Sequence, residues 1–145
     1  GLLIKSAFDN LKVFSILSPK GFVKVNIDAG FEDDRGYLIL SRGCVGINMV
    51  ITRDQAMSIQ KALGKISFFR PLAHDLIKQM LQEYGIEVLM ARITDYKDGT
   101  YYAKLIVRKG NKIMSLDSRP SDAVAIAIRM NAPVYVSETL LRKMC

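Results

Sequence analysis

The side chains best suited to chemistry in this sequence lie at its Asp117–Arg129 stretch, where Asp-Ser-Arg-Pro-Ser-Asp leads into an almost wholly apolar helix. An apolar helix must be buried, so its polar lead-in is expected at the rim of the core, where a rigid scaffold presents groups to a ligand. A helix N terminus beside Arg119 and Ser121 predicts a phosphate-binding corner. Asp117 and Asp122 are the predicted ligands of a divalent metal, Mg²⁺ or Mn²⁺, beside that phosphate.

The same residues also have a purely structural explanation. Ser121 is a residue type that caps helices, and Asp122 in the first turn would complement the positive end of the helix dipole. This alternative leaves Arg119 and Asp117 without a role, so both interpretations stay open.

A second polar group, Arg-Pro-Leu-Ala-His-Asp, spans Arg70–Asp75. His74 is the only histidine of the chain, and it is the side chain whose ordinary pKa suits proton transfer near neutral pH. Its place at the border of an apolar helical stripe is equally typical of a structural histidine. We assign His74 and Asp75 as candidate catalytic residues and Arg70 as a second candidate phosphate ligand.

A predicted strand over Tyr101–Arg108 alternates so that one face carries Tyr102, Lys104 and Arg108. Tyrosine interleaved with cations suits nucleic acid, through stacking and phosphate contacts, and suits a solvated sheet face equally well. The nearby turn Asp95–Gly99 has two acids and a lysine, which is a weak metal-nuclease signal and is more typical of a solvated hairpin loop.

Composition narrows the class of protein. The chain has 145 residues, half of them hydrophobic, and a net charge of +7, which indicates one globular domain and favours polyanionic partners. A merely basic, soluble surface is the alternative. The longest apolar runs fall short of a membrane span. P-loop, dinucleotide-binding, zinc-protease and serine-hydrolase motifs are lacking.

The cysteines predict the compartment. Cys44 and Cys145 are far apart and form neither a disulfide framework nor a zinc pattern. We therefore expect unpaired thiols and a reducing, cytoplasmic location. Residues 1–20 are expected to form a helical extension, and residues 21–145 a single domain.

Hydrophobic periodicity and turn residues predict the elements. Helices are expected over 54–63, from Arg70-Pro71 to Tyr84, and over 121–130. The second of these is expected to bury a stripe of apolar residues: Leu72, Leu76, Ile77, Met80, Leu81 and Tyr84. A polar loop is expected over Ala29–Gly36. Strands are expected over 22–27, 37–41, 45–51, 86–94, 101–108, 112–117 and 134–136.

This order repeats. With an offset of 67 residues Gly43 aligns with Gly110, Ala56 with Ala123 and Asp28 with Asp95. Each half then reads as three strands followed by a helix, which predicts an internal duplication. The expected fold class is α+β, with mixed sheets and packed helices.

Three segments together resemble the bifunctional nuclease domain family: Arg70–Leu76, Asp95–Ala103, and Asp117–Ala127 with its continuation Ala132–Val136. The resemblance covers roughly residues 22–141, and the third segment is the most specific. It implies an α+β domain, often dimeric, with nuclease activity toward DNA and RNA.

The leading hypothesis is therefore a hydrolase that cleaves phosphodiesters with a divalent metal. Arg70, Arg119 and Ser121 would hold phosphate, and His74 would move a proton. The candidate catalytic carboxylates Asp117 and Asp122, with Asp75 as a further ligand, would hold the metal. The alternatives are a non-catalytic module that binds nucleic acid or assembles with protein, and a small-ligand or anion sensor.

Overall fold

The structure is a computed structural model that describes Leu17 and residues 20–145. In that part of the chain the helices are α1 (Arg53–Ala62), α2 (Ala73–Glu83) and α3 (Pro120–Arg129). The strands are β1 (Phe22–Lys24), β2 (Asn26–Glu32), β3 (Arg35–Arg42), β4 (Val45–Thr52), β5 (Glu87–Lys97), β6 (Thr100–Lys109), β7 (Lys112–Ser118), β8 (Val134–Ser137) and β9 (Arg142–Lys143). The predicted α+β class is confirmed. The predicted helical extension lies almost wholly outside the described residues.

Two sheets carry the fold. The first has the order β1-β8-β5-β6-β7 and is mixed, because β5 and β8 run parallel while the other neighbours are antiparallel. The second has the order β2-β3-β4-β9 and is antiparallel throughout. Helix α1 packs on β2 and β3, α3 packs on β5 and β6, and the two helices pack on each other. Buried residues from both sheets and both helices form one hydrophobic core.

The two halves share the order predicted from the sequence. β2-β3-β4-α1 and β5-β6-β7-α3 are both three-stranded antiparallel units that end in a helix. α1 and α3 differ in number by 67 residues at both ends. Gly43 and Gly110 occupy equivalent turns with φ of 59° and 58°, a conformation that favours glycine. The duplication itself stays a prediction, since a shared order of elements does not establish common descent.

Within the described residues, no helix has the length and apolar character needed to cross a bilayer.

The predicted loop over Ala29–Gly36 is wrong. β2 continues to Glu32 and β3 begins at Arg35, so the hairpin turn consists of Asp33 and Asp34 alone. Asp33 takes a positive φ of 54°, which aspartate tolerates better than most residues. The polar residues that indicated a loop are instead the paired ends of two strands.

The predicted start and buried stripe of the second helix also need correction. The helix begins after Leu72, so Pro71 lies outside it. Leu76, Met80 and Tyr84 are 55%, 48% and 69% exposed, while Ile77 and Leu81 pack against the core. Periodicity identified the apolar residues of α2 correctly, but α2 packs beside α3 at the edge of the core and leaves part of its apolar surface uncovered.

The prediction of unpaired cysteines is wrong as well. Cys44 and Cys145 form a disulfide, with Cα atoms 5.1 Å apart and a sequence separation of 101. β9 pairs with the start of β4, at Val45 and Gly46, and so brings the C-terminal residue to the β3–β4 turn. Only this long-range pairing makes the two sulfur atoms neighbours.

We expect Cys145→Ser to lower the free energy of unfolding by about 2–4 kcal/mol under oxidising conditions, because the bond closes a long loop in the unfolded chain. Urea denaturation of the variant and of the wild type, each with and without reductant, measures this. The reduced wild type should match the variant. Two rapidly alkylated thiols in the untreated protein would contradict the pairing.

Candidate active site between three helices

A chain of hydrogen bonds joins three of the predicted site residues. The Nε2 atom of His74, at the start of α2, lies 2.9 Å from Asp122 Oδ1 in the first turn of α3. Asp122 Oδ2 accepts a hydrogen bond of 2.7 Å from Arg119 Nε. Burial raises the pKa of Asp122, but the hydrogen bonds from Arg119 and His74 outweigh it, so the pKa lies below its usual value. Asp122 is therefore a stable carboxylate that fixes one edge of the imidazole.

The other edge of His74 is held by a serine from α1. Ser58 Oγ lies 2.6 Å from His74 Nδ1 and accepts a hydrogen bond of 3.1 Å from Arg129 Nη2. Arginine has no acceptor, so the single hydroxyl proton of Ser58 is left to donate to His74 Nδ1. In the neutral imidazole the proton then lies on Nε2 and is donated to Asp122. Both ring nitrogens are thereby oriented.

Asp75 makes no direct hydrogen bond to the histidine and is held by three other donors. Its carboxylate accepts hydrogen bonds from Arg129 Nε at 2.9 Å, Lys61 Nζ at 2.6 Å and the Leu72 N–H at 2.8 Å. Burial raises the pKa of Asp75, and these three donors more than reverse that, so the pKa lies far below its usual range. Asp75 thus neutralises the buried Arg129 and supports His74 indirectly, through Arg129 and Ser58 and through the Leu72 N–H at the start of α2.

The network opens on a cavity of about 450 Å³, here called the histidine cavity. The polar groups on its wall include Ser58, His74, Arg119 and Asp122, and Met57, Phe68 and Leu72 supply apolar surface. The His74 side chain is 12% exposed and that of Arg119 is 70% exposed. Arg119 is therefore the group that a ligand meets first, with the imidazole behind it.

Two other predicted site residues lie apart from this network. The Asp117 side chain, near the end of β7, is 89% exposed and pairs with Lys104. Arg70 accepts a hydrogen bond from Lys61 through its carbonyl oxygen, at 3.5 Å, and lines neither the histidine cavity nor a neighbouring one. Asp117 and Asp122 therefore have separate partners, although the two lie only five positions apart in sequence.

The predicted nucleic-acid face of β6 is largely charge-neutral. Lys104 pairs with Asp117, and Arg108 Nη2 lies 2.7 Å from Glu87 Oε2. Tyr102 is 49% exposed. The strand alternates as predicted, but its cations already have carboxylate partners, which weakens the face as a phosphate contact.

Ser121 does not cap its helix. Arg119 occupies the cap position, Pro120 is the first helical residue, and Ser121 is the second. Ser121 is only 3% exposed. The structural alternative for Asp122 is true only in part, since it lies in the first turn but also binds His74 and Arg119.

Sequence reasoning missed Ser58, Lys61 and Arg129, which hold the predicted residues in place. Ser58 and Arg129 are buried polar residues on helices that otherwise face the core with apolar side chains. A polar residue at a buried helical position was the available signal. Nothing in the sequence showed which partner each one meets.

Comparisons with known proteins bear on the family resemblance. The model of the bifunctional nuclease domain family matches residues 39–145. The chain is 44% identical over 72 residues to an uncharacterized protein of Mycobacterium tuberculosis. The aligned region covers 50% of this chain and 42% of that protein. It is 30% identical over 95 residues to bifunctional nuclease 1 of Arabidopsis thaliana and 32% identical to bifunctional nuclease of Oryza minuta, covering 63% of this chain and 29% of each plant protein. This chain thus spans less than half the length of each of these relatives.

We expect Asp75→Asn to lower the free energy of unfolding at pH 7 by about 2–4 kcal/mol, because it leaves the Arg129 charge buried without a counter-charge. Urea denaturation measures the loss. Asp117→Asn is the matched control, and its effect should be small since exposed ion pairs contribute little.

The cost of Asp75→Asn should also depend on pH. The folded pKa of Asp75 lies below the value of about 3.9 found in an unfolded chain. Its stabilisation is therefore complete above about pH 5 and is lost as the pH falls through the unfolded and then the folded pKa. The difference between wild type and variant should shrink between pH 6 and pH 3. A difference that stays constant over this range would contradict the assignment.

Proposed function

Since this chain belongs to the bifunctional nuclease domain family, we propose that it hydrolyses phosphodiester bonds in DNA, RNA or both. The observation that carries the proposal is the chain Arg119–Asp122–His74 on the wall of one cavity. It places an exposed cation for phosphate next to an oriented imidazole for proton transfer. The net charge of +7 favours the approach of a polyanion.

Arg119 is the proposed phosphate ligand. Its Nε atom holds Asp122, and its two Nη groups make no hydrogen bond to any described residue. A guanidinium oriented through one nitrogen can offer the other two to phosphate oxygens. Asp122 therefore positions the phosphate ligand and the proton-transfer group at the same time.

His74 is the proposed proton-transfer group. When the ring is protonated, Asp122 stabilises the positive charge at Nε2, as a carboxylate does for the imidazolium of other catalytic histidines. For donation to the leaving-group oxygen of a phosphodiester held by Arg119, the Nε2–H has to leave Asp122 and turn to that oxygen, since Ser58 occupies Nδ1. Asp75 acts as a positioning residue, through Arg129 and Ser58.

Ser58, His74 and Asp122 have the connectivity of a serine-hydrolase triad, yet water is the better nucleophile here. Ser58 is 4% exposed, and its hydroxyl oxygen already accepts a hydrogen bond from Arg129. A hydrogen bond from a guanidinium draws electron density from that oxygen and makes it a poor nucleophile. We assign Ser58 to the orientation of His74.

Whether cleavage needs a divalent metal is a separate question for the assay. Among the described residues no group of three or more His, Cys, Asp or Glu side chains is arranged to hold an ion, and both Asp122 oxygens are engaged. The predicted pair of Asp117 and Asp122 thus does not fit a protein-bound metal in this arrangement. Mg²⁺ is often held by one carboxylate together with substrate phosphates, so assays need Mg²⁺, Mn²⁺ and chelator in parallel.

We expect His74→Gln to lower kcat for cleavage of labelled DNA and RNA by about 10²–10⁴-fold, because glutamine keeps a hydrogen bond but cannot carry the proton. Arg119→Gln should mainly raise KM. The exposed Glu83→Gln serves as the control and should leave the rates unchanged. Cleavage that survives in His74→Gln at the wild-type rate would refute the assignment of His74.

We also propose that the chain forms a homodimer through α2. Leu76, Met80 and Tyr84 are spaced by four residues, lie on one face of that helix and are exposed. A set of uncovered apolar side chains on a helix is typical of a protein interface. This surface supports the dimer that the family resemblance implies.

Met80→Glu should convert such a dimer to a monomer, because two copies of the new charge would face an apolar interface. Sedimentation equilibrium over a range of protein concentrations measures the change, with Gln82→Glu, which adds the same charge on the other side of the helix, as the control. A wild-type protein that is monomeric at the highest concentration would disprove the proposal.

The cellular location is the last point to test. The low cysteine content led to the prediction of a cytoplasmic location, whereas the disulfide argues against that location. A reducing cytoplasm would keep Cys44 and Cys145 as thiols. Alkylation of the protein inside cells before lysis distinguishes the two states.

A further inference from the structure

A second cavity, of about 480 Å³, borders the histidine cavity. Residues Asn48–Ile51 of β4 form one wall, the turn between β5 and β6 forms another, and Arg119–Ser121 at the start of α3 closes it. We call it the tyrosine cavity, because Tyr96 and Tyr101 both line it. Arg119 and Gln55 line both cavities, so a ligand held by Arg119 can extend into either.

One end of the tyrosine cavity is built for an anion. The backbone N–H groups of Ser121 and Asp122 have no hydrogen-bond partner among the described residues, as is usual in the first turn of a helix. Among the described residues, Arg119 is the only charged one on the cavity wall. Positive helix potential, guanidinium and free N–H groups all favour a phosphate here.

The Ser121 side chain independently indicates a ligand at this end. Ser121 is 3% exposed, and its hydroxyl bonds to no described residue. Within the described part of the chain, no side-chain oxygen or nitrogen sealed from solvent lacks a partner. The Ser121 hydroxyl therefore keeps its access through the cavity that it lines, as a donor or acceptor that the fold leaves unused.

Another part of the lining of the tyrosine cavity is aromatic. Tyr96 and Tyr101 lie with ring centroids 4.5 Å apart and planes tilted by 50°. Tyr101 supports Tyr96, which is 52% exposed and offers the uncovered part of its ring. The exposed carboxamide of Asn48 stands on the β4 wall of the same cavity without a described partner. An aromatic surface and a free carboxamide in one cavity can stack a base and bond to its edge.

We propose that the tyrosine cavity binds one nucleotide of a nucleic-acid strand, with its phosphate at Ser121 and the first turn of α3 and its base against Tyr96. The choice of a nucleotide rests on the proposed nuclease function. The cavity volume lies in the range of about 300–1,000 Å³ typical of small-ligand sites. The neighbouring nucleotide would then pass Arg119 into the histidine cavity, so that the phosphate joining the two nucleotides lies beside Arg119.

Isothermal titration of the full chain with AMP, adenosine and inorganic phosphate tests the site. AMP should bind more tightly than either part alone. Tyr96→Ala should raise the Kd of AMP about tenfold through loss of base stacking, with the Kd of phosphate unchanged. Ser121→Ala should weaken AMP and phosphate alike. Tyr96→Phe, which keeps the aromatic ring, should bind AMP as the wild type does.

Tyr102→Ala is the matched control, since Tyr102 is 49% exposed on the adjacent strand and outside the cavity. Equal losses of AMP affinity in Tyr102→Ala and Tyr96→Ala would move the base to the β6 face and overturn the proposal. AMP that binds no better than adenosine would overturn it too. Circular dichroism and thermal unfolding confirm that each variant is folded.

The same variants separate this inference from the nuclease proposal. AMP binding that depends on Tyr96 and Ser121, without cleavage of any nucleic acid, would support the nucleotide site and refute the nuclease. Cleavage whose KM is the same in Tyr96→Ala as in the wild type, with an unchanged Kd for AMP, would support the nuclease and refute the nucleotide site.

Discussion

The guanidinium of Arg129 is a charge that the fold has placed in its interior, with only 4% of the side chain exposed. A buried charge is tolerated only when it is paired and hydrogen-bonded. Its partners are Asp75 on α2, Ser58 on α1 and the Ala125 carbonyl of its own helix. Because one side chain has to meet all three, the relative positions of the helices are tightly constrained.

The candidate site inherits its geometry from that constraint. Ser58 accepts from Arg129 and, as a result, has its proton directed at His74. Asp75 holds the start of α2 through the Leu72 N–H, and His74 is the residue directly before Asp75. The imidazole is thereby fixed between α1 and α3, where Asp122 meets its other nitrogen. A site on helix ends gains precision when buried partners of this kind support it.

The two cavities meet at Arg119 and at the N terminus of α3. Arg119 stands between them, with the imidazole on one side and an aromatic, carboxylate-free wall on the other. The α3 N terminus faces both, because Asp122 lines the histidine cavity while Ser121 lines the tyrosine cavity. Adjacent residues of one helix turn thus separate the proposed proton-transfer position from the proposed base position.

Features that depend on the local order of residues could be predicted from the sequence. Alternation, turn glycines and the Arg-Pro-Ser-Asp run predicted most strands, the three helices, the α+β class and the resemblance to a nuclease family. Tertiary structure alone decided what depends on distance in space. Cys145 lies next to Cys44 only because β9 pairs with β4. Met80 is uncovered because of where α2 packs. Asp117 pairs with Lys104, whereas Asp122 bonds to His74. Periodicity specifies which face of an element is apolar, whereas the partner of a polar side chain depends on how distant elements pack together.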